Sequence, residues 1–326
     1  MIITIQGIYD LALKLGLAAD PRGTAGVKKY LAKTKRAYEA LPASEKKYFN
    51  QSKLVDPYAD SDIHLADRRD RPVKRVLVGI DIDVGEVLLA DRLKQLGKPV
   101  DVVIAHHPFG QALVDLHEVM ALQADVMHTL GVPLHVAENL MEERMGQVGR
   151  GIHPINHFRA IDAAKLLGVN LMNLHTLTDN LVDKFVRNFL KRQRPETVGE
   201  VVKALLTIPE YEQAKKVGAG PRLIFGRESN RAGKIMTEMT GGTEAGEKVY
   251  QELSHAGVST LVSMHMAEKN LEQAKNALLN VVIAGHTSSD SLGMNLFLDE
   301  LAKRGVEIVP CSGLIRVNRS SKLRTK

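Results

Sequence analysis

The sequence has 326 residues, 44% of them hydrophobic and 25% charged, with a formal net charge of +6. That is apolar material for one large or two modest domains, and a single cysteine excludes a disulfide framework and any site built on several thiolates. Tryptophan is absent and aromatic residues make up 4%, which argues against stacking of bases or sugars on aromatic platforms.

Residues 1–73 read as a helical N-terminal extension. Ile5, Ile8, Tyr9, Ala12 and Leu15 recur at helical spacing, and Asp20-Pro21 marks a cap with a first-turn proline. "GVKKYLAKTKRAYEAL" continues as a second helix, and Ser44-Glu45 opens a short third one. The N-terminus has no positive region ahead of its apolar part, and Asp10 and Lys14 interrupt it. Neither a signal peptide nor a membrane span is expected, and a cytoplasmic, soluble protein is. "NQSKLVDPYADSDIHLADRRDRP" has turn formers and no period, so it reads as an irregular connection. No chemistry is visible in this region, which reads as a packing or oligomerisation appendage.

From residue 74 strands and helices alternate. "KRVLVGIDI", "VDVVIA", "VPLHVA" and "VNLMNL" are short apolar runs, separated by the helical stretches "GEVLLADRLKQLG", "ALVDLHEVMALQADVMHTLG" and "NHFRAIDAAKLLG". A second series starts near residue 198: helix "TVGEVVKALLTI", strand "PRLIFG", helix "GTEAGEKVYQELSHAG" and strand "VSTLVSMHM". Helix "EKNLEQAKNALLN", strand "VVIAG", helix "GMNLFLDELAKRG" and strand "VEIVP" complete it. This alternation predicts an α/β fold of two lobes, residues 74–197 and 198–326, each a mostly parallel sheet covered by helices.

Three apolar runs end on histidine. "VVIA" runs into His106 and His107, "VNLMNL" into His175 and "NVVIAG" into His286. His175 is followed four residues on by Asp179, and His286 by Asp290. Ligand sites of open α/β sheets gather at the carboxyl ends of strands. If the chain enters a helix there, positions i and i+4 share a face and can grip one ion. Adjacent histidines cannot point the same way in a strand, whose side-chain period is two. At an end broken by Pro108 they can diverge toward two neighbouring ions. Four imidazoles and two carboxylates suffice for a dinuclear site for divalent Zn, Fe, Mn, Co or Ni, with positions left for water. Such a pair can acidify a water and clamp a phosphoryl or carbonyl oxygen.

Other residues are weaker candidates. Asp81 and Asp83 in "GIDIDVGE", His157 in "GIHPINHFRA" and His265 in "VSMHM" are candidates for lining a substrate pocket. His135 reads as a core group in its apolar run. There is no GxSxG, no P-loop ending and no GxGxxG after the first strand. The basic stretches "RNFLKRQR" and "RVNRSSKLRTK" read mainly as solvated surface, and on their own make nucleic-acid binding unlikely.

"VLVGIDIDVGEVLLA", "VIAHHPFG", "NLHTLTDN" and "VVIAGHTSSDSLGMN" resemble the motifs of the NIF-three-like dinuclear-metal proteins, also called YbgI-like or GTP cyclohydrolase I type 2 homologues. The resemblance covers about residues 74–318. It implies a two-lobed α/β fold, two metal ions in the cleft and a ring-shaped homo-oligomer, often a hexamer. The paired-histidine motif of the family falls on His106 and His107, its HxxxD motif on His175 and Asp179, and its GHxxxE motif on His286 and Asp290. At the last position this sequence has aspartate for the bridging glutamate, and a shorter arm must bring the backbone closer or bind a single ion. The expected function is metal-dependent hydrolysis of a nucleotide-like or other small substrate; the alternative is a non-catalytic metal-handling or scaffold protein.

Overall fold

Where β-branched runs give way to glycine or polar residues the strands stop, and two sheets result. The computed structural model describes residues 2–319. Its strands are β1 (Asp62–Leu65), β2 (Arg75–Gly79), β3 (Val102–Ala105), β4 (Leu171–Asn173), β5 (Arg222–Phe225), β6 (Lys234–Glu238), β7 (Val258–Ser263), β8 (Asn280–Ile283) and β9 (Glu307–Pro310). The first sheet has the order β1-β4-β3-β2-β9, with β1 antiparallel to β4 and the other pairs parallel. The second has the order β5-β8-β7-β6, with β5 antiparallel to β8 and the rest parallel. The α/β class with two mostly parallel, helix-covered sheets is therefore as the sequence predicts.

Parallel strands need apolar side chains on both faces, and these have them. In the first sheet Val76, Val78, Ile104 and Met172 pack against Ile5, Ile8 and Ala12 of the helix Ile5–Ala19 and against Phe297, Leu298 and Leu301. On the opposite face Leu77, Val103, Ala105 and Leu171 meet Val87, Ala90, Ala160 and Ala164 of the helices Val84–Gln95 and Arg159–Leu167. Each such fully buried large aliphatic side chain contributes about 1.5–3 kcal/mol.

Two helices belong to both cores. Helix Thr176–Gln193 places Leu177 in the first core and Val182, Val186 and Leu190 in a core under the second sheet. Helix His286–Lys303 likewise divides Leu292 from Phe297 and Leu298. The two lie side by side, and Gly293 is what lets them meet. A Cβ there would collide with the carbonyl oxygen of Thr178, so a glycine is needed for this close backbone approach.

Four expectations are corrected. Residues 62–65, read as irregular, form the antiparallel edge strand β1, and helix Ile5–Ala19 is part of the main core; residues 1–73 are thus not a separate helical appendage. Strand β9, placed in the 198–326 lobe by its position in the chain, pairs with β2 in the first sheet. Residues 132–137 do not form a strand: after Pro133 the chain enters the helix Leu134–Ile152, and His135 is exposed on it, not in the core. A strand in residues 234–238 goes unread in the sequence, because Lys234, Thr237 and Glu238 dilute its apolar signal.

Of the basic stretches, Arg187 faces Asp183, Arg316 pairs with Asp299, and Arg319 forks onto the buried carboxylate of Glu210. Residues 320–326 of the basic tail lie outside the described residues. No helix among the described residues is long and apolar enough to cross a membrane.

Candidate metal centre

The carboxyl ends of the strands of both sheets converge on one cleft. His106 and His107 directly follow β3, and their amides bond to the carbonyls of Gly79 and Ile80 at the end of β2. His175 is the N-cap of helix Thr176–Gln193, two residues after β4. His286 opens its helix after β8, beyond Gly285, whose φ of 107° turns the chain out of the strand. One helical turn past each of the last two histidines, Asp179 and Asp290 are buried. Neighbouring imidazole rings among His106, His107, His175 and His286 have centroids 5.0–5.8 Å apart.

Three of these histidines are fixed from behind. His106 Nδ1 lies 3.2 Å from the Leu174 carbonyl and 3.0 Å from Thr178 Oγ1. His107 Nδ1–H donates to Asp81 Oδ1 at 2.7 Å, and His175 Nδ1–H donates to Asp60 Oδ2 at 2.7 Å. Thr176 Oγ1 donates to the same Asp60 oxygen at 2.6 Å, and the Ser61 hydroxyl accepts from the His175 amide. A partner on Nδ1 sets the tautomer and turns the Nε2 lone pair toward the centre, the arrangement that supports metal-ligating histidines.

The Nε2 atoms face carboxylate oxygens at distances too long for good hydrogen bonds. His106 Nε2 is 3.4 Å from Asp179 Oδ1 and 3.5 Å from Asp290 Oδ1. His107 Nε2 and His286 Nε2 are each 3.6 Å from Asp290 Oδ2, and His175 Nε2 is 3.8 Å from Asp179 Oδ2. Two ligand atoms about 2.0–2.2 Å from one tetrahedral ion stand roughly 3.3–3.6 Å apart. Asp179 Oδ1, both oxygens of Asp290 and His106 Nε2 are buried without hydrogen-bond partners. Buried polar atoms are normally satisfied, so spacing and orphaned donors both fit a cation. Three groups could hold one: His106, His107 and His175; His107, His286 and Asp290; His106, Asp179 and Asp290.

Electrostatics follow from this crowding. Burial alone would lower His106, but the Asp290 and Asp179 carboxylates outweigh it and push it up to about 10. His175 shows the same balance, burial against Asp179 and Asp60, and is raised. Burial would raise Asp290, yet His106, His286 and His107 hold it below the usual carboxylate range. His286 is lowered, first by burial and then by His107 and His265, against the pull of Asp290.

No family model matches the sequence, and no curated protein matches it. Among solved structures it is similar to a NIF3 superfamily protein from Sphaerobacter thermophilus, at 26% identity and a TM-score of 0.73 over 96% of this chain and 100% of that one. The chain has the NIF3 superfamily fold. Reduced HcgD from Methanocaldococcus jannaschii shares the fold more distantly, at 14% identity and a TM-score of 0.51 over 83% of this chain and 97% of that one.

Within this NIF3 fold the six ligand candidates, His106, His107, His175, Asp179, His286 and Asp290, come together. The shorter Asp290 still presents one oxygen toward His106 and the other toward His107 and His286. Asp81 stands behind His107 and supports its ring. His265 packs against His286 with ring centroids 4.6 Å apart and the planes tilted by 52°, and lines the cleft beside it. His157 does not reach the cleft: its Nε2–H donates to the Ile152 carbonyl, and its ring packs edge-on against Phe158. Asp83 caps the helix Val84–Gln95 and pairs with Arg159. Sequence reading misses Asp60, fully buried behind His175. Its only local signal is "YADSDIHL", a polar stretch whose role depends on β1 pairing with β4.

Proposed function

We propose that the cluster holds two divalent cations and that the chain is a metal-dependent hydrolase of a nucleotide-like or other small substrate. One observation carries this reading: five imidazole–carboxylate separations of 3.4–3.8 Å around four atoms, His106 Nε2, Asp179 Oδ1 and both Asp290 oxygens, that are buried without a hydrogen-bond partner. Asp290, His106, His107, His175, Asp179 and His286 would hold the ions, Asp290 having one oxygen toward His106 and the other toward His107 and His286. A bound pair would acidify a water and polarise a carbonyl or phosphoryl oxygen.

The chain's own residues would orient the chemistry. Asp60 and Asp81 hold His175 and His107 in place, and the carboxyl ends of the second sheet close the cleft above them. A ring-shaped homo-oligomer goes with this reading, and exposed Leu88 and Leu166, on two helices that pack together, offer it apolar surface.

Elemental analysis of protein purified without an affinity metal is expected to find close to two Zn, Fe, Mn, Co or Ni ions per chain. A hydrolase screen of stripped and reloaded protein should show turnover that tracks occupancy. Turnover that persists without metal defeats the reading. Full occupancy with no turnover on any substrate leaves metal handling as the function.

A further inference from the structure

We propose that Glu238 is the proton-transfer residue of this site, facing the histidine–aspartate cluster from the second sheet. The inference rests on the hydrolase reading above. Glu238 is the last residue of β6, in register with Ser263 at the end of β7. Strands β6, β7 and β8 run parallel, so Glu238, His265 and His286 leave one edge of the sheet together. Glu238 lines the same cleft as His175, Asp179, His286 and Asp290.

Its carboxyl group is buried and only half engaged. Oε1 accepts the Ala245 amide at 3.2 Å, and Oε2 has no hydrogen-bond partner. The nearby Ser263 hydroxyl is committed to the His265 carbonyl at 2.6 Å. Four other buried acids outside the cluster have a partner for the carboxylate: Glu210 has Arg319, Asp299 has Arg316, Asp56 has Tyr9 and the Tyr58 amide, and Asp183 has Thr237. Among the described residues no cation pairs with Glu238, and its neighbouring Ser263 hydroxyl is turned to a carbonyl, which is costly for a carboxylate kept only for structure.

The groups around it leave it protonatable. Glu244 follows it in the next loop, Tyr250 approaches from helix Val249–His255, Asp183 borders the same small internal cavity, and His265 and His286 line the cleft from the same sheet. Burial first, and then Glu244, push its pKa up to about 7, against the Ala245 and Ser263 contacts. A proton donor works best with a pKa near the working pH.

In the step assigned to it, the water oxygen bonds to the phosphorus or carbonyl carbon. The bond to the leaving atom breaks, and that atom keeps the electron pair and takes the Glu238 proton. The proton lost by water then restores Glu238, and water is the sole co-reactant.

The test compares wild type and E238Q, both loaded with zinc, on diphenyl phosphate and bis(4-nitrophenyl) phosphate. A general acid matters more for the poorer phenol leaving group. The expected result is unchanged zinc content, a loss of about 10²-fold or more on diphenyl phosphate, and a clearly smaller loss on the nitrophenyl diester. The pH profile should lose its limb near neutrality. Independently of turnover, infrared difference spectra of the wild type should show a carboxylic acid band that disappears with a midpoint near neutral pH and is missing in E238Q. Equal losses on both diesters, no loss, or loss of zinc from E238Q overturns the role of Glu238 while leaving the hydrolase reading in place. A zinc-loaded wild type inactive on both diesters overturns the role of Glu238 in phosphodiester cleavage, and the hydrolase reading falls with it only when the wider screen finds no turnover either. Should E238Q not fold, absence of the band from the wild type overturns the proposal.

Discussion

The two walls of the cleft are built differently. On the first sheet, His106, His107 and His175 each have Nδ1 held by a carbonyl, a hydroxyl or a carboxylate. On the second, no hydrogen bond holds the ring of His286 or His265 among the described residues, and the His286 side chain is 43% exposed. The first wall is a fixed template that pays its ordering entropy on folding. The second can adjust to whatever enters, which suits a wall that meets substrate.

Substitutions break this contrast in graded ways. The largest effect is expected from Asp290→Asn, which removes the charge that both oxygens share among three imidazoles; elemental analysis should find metal retention abolished. Gly293→Ala comes next. Its methyl group drives helix His286–Lys303 off the Thr178 carbonyl and so separates Asp290 from Asp179. Overpacking of this kind costs about 1–3 kcal/mol, and thermal unfolding and metal titration should both register it. Asp60→Asn should weaken metal binding about 10–100-fold, the usual range for a group that orients a ligand. Asp81→Asn should do less by the same titration, because the Asp81 side chain is 78% exposed and the Asp60 side chain 0%. His265→Ala, on the adjustable wall, should leave metal affinity within about threefold if metal support is confined to the first wall.

A pH dependence sharpens the same contrast. Asp56, in the segment that leads to Asp60, is pushed by burial from an ordinary 3.8 up to about 7. Between those values the folded chain keeps a proton that the unfolded chain has released. Its contribution is therefore complete below about pH 4 and is lost as pH rises through 7. Denaturant melts of Asp56→Asn, compared with wild type across that window, should show a shallower fall in stability with rising pH.

The ligand candidates were legible because the histidines sit where apolar runs stop and two of them have an aspartate four residues on, and both signals are local. Their supports were not. Asp60 acts through an antiparallel edge strand of four residues, Asp62–Leu65, whose sequence has no alternation to announce it. Glu238 ends a strand carrying Lys234 and Thr237, and nothing near it in sequence says that it lines a cleft with Asp290. The membership of β9 in the first sheet was hidden for a related reason: pairing partners more than two hundred positions apart leave no periodic trace. His157 misled because a histidine near a loop offers no sign that a backbone carbonyl five residues earlier will accept its hydrogen bond.

The return of β9 to β2 has a consequence for biosynthesis. The entire second sheet is inserted between two parts of the first, so a chain leaving the ribosome exposes His106, His107 and His175 long before it can add Asp290 or seal the β2 edge. A coordination sphere built on these residues would close only after Asp290 has emerged, so ion capture by it would follow the first sheet and would not seed its folding.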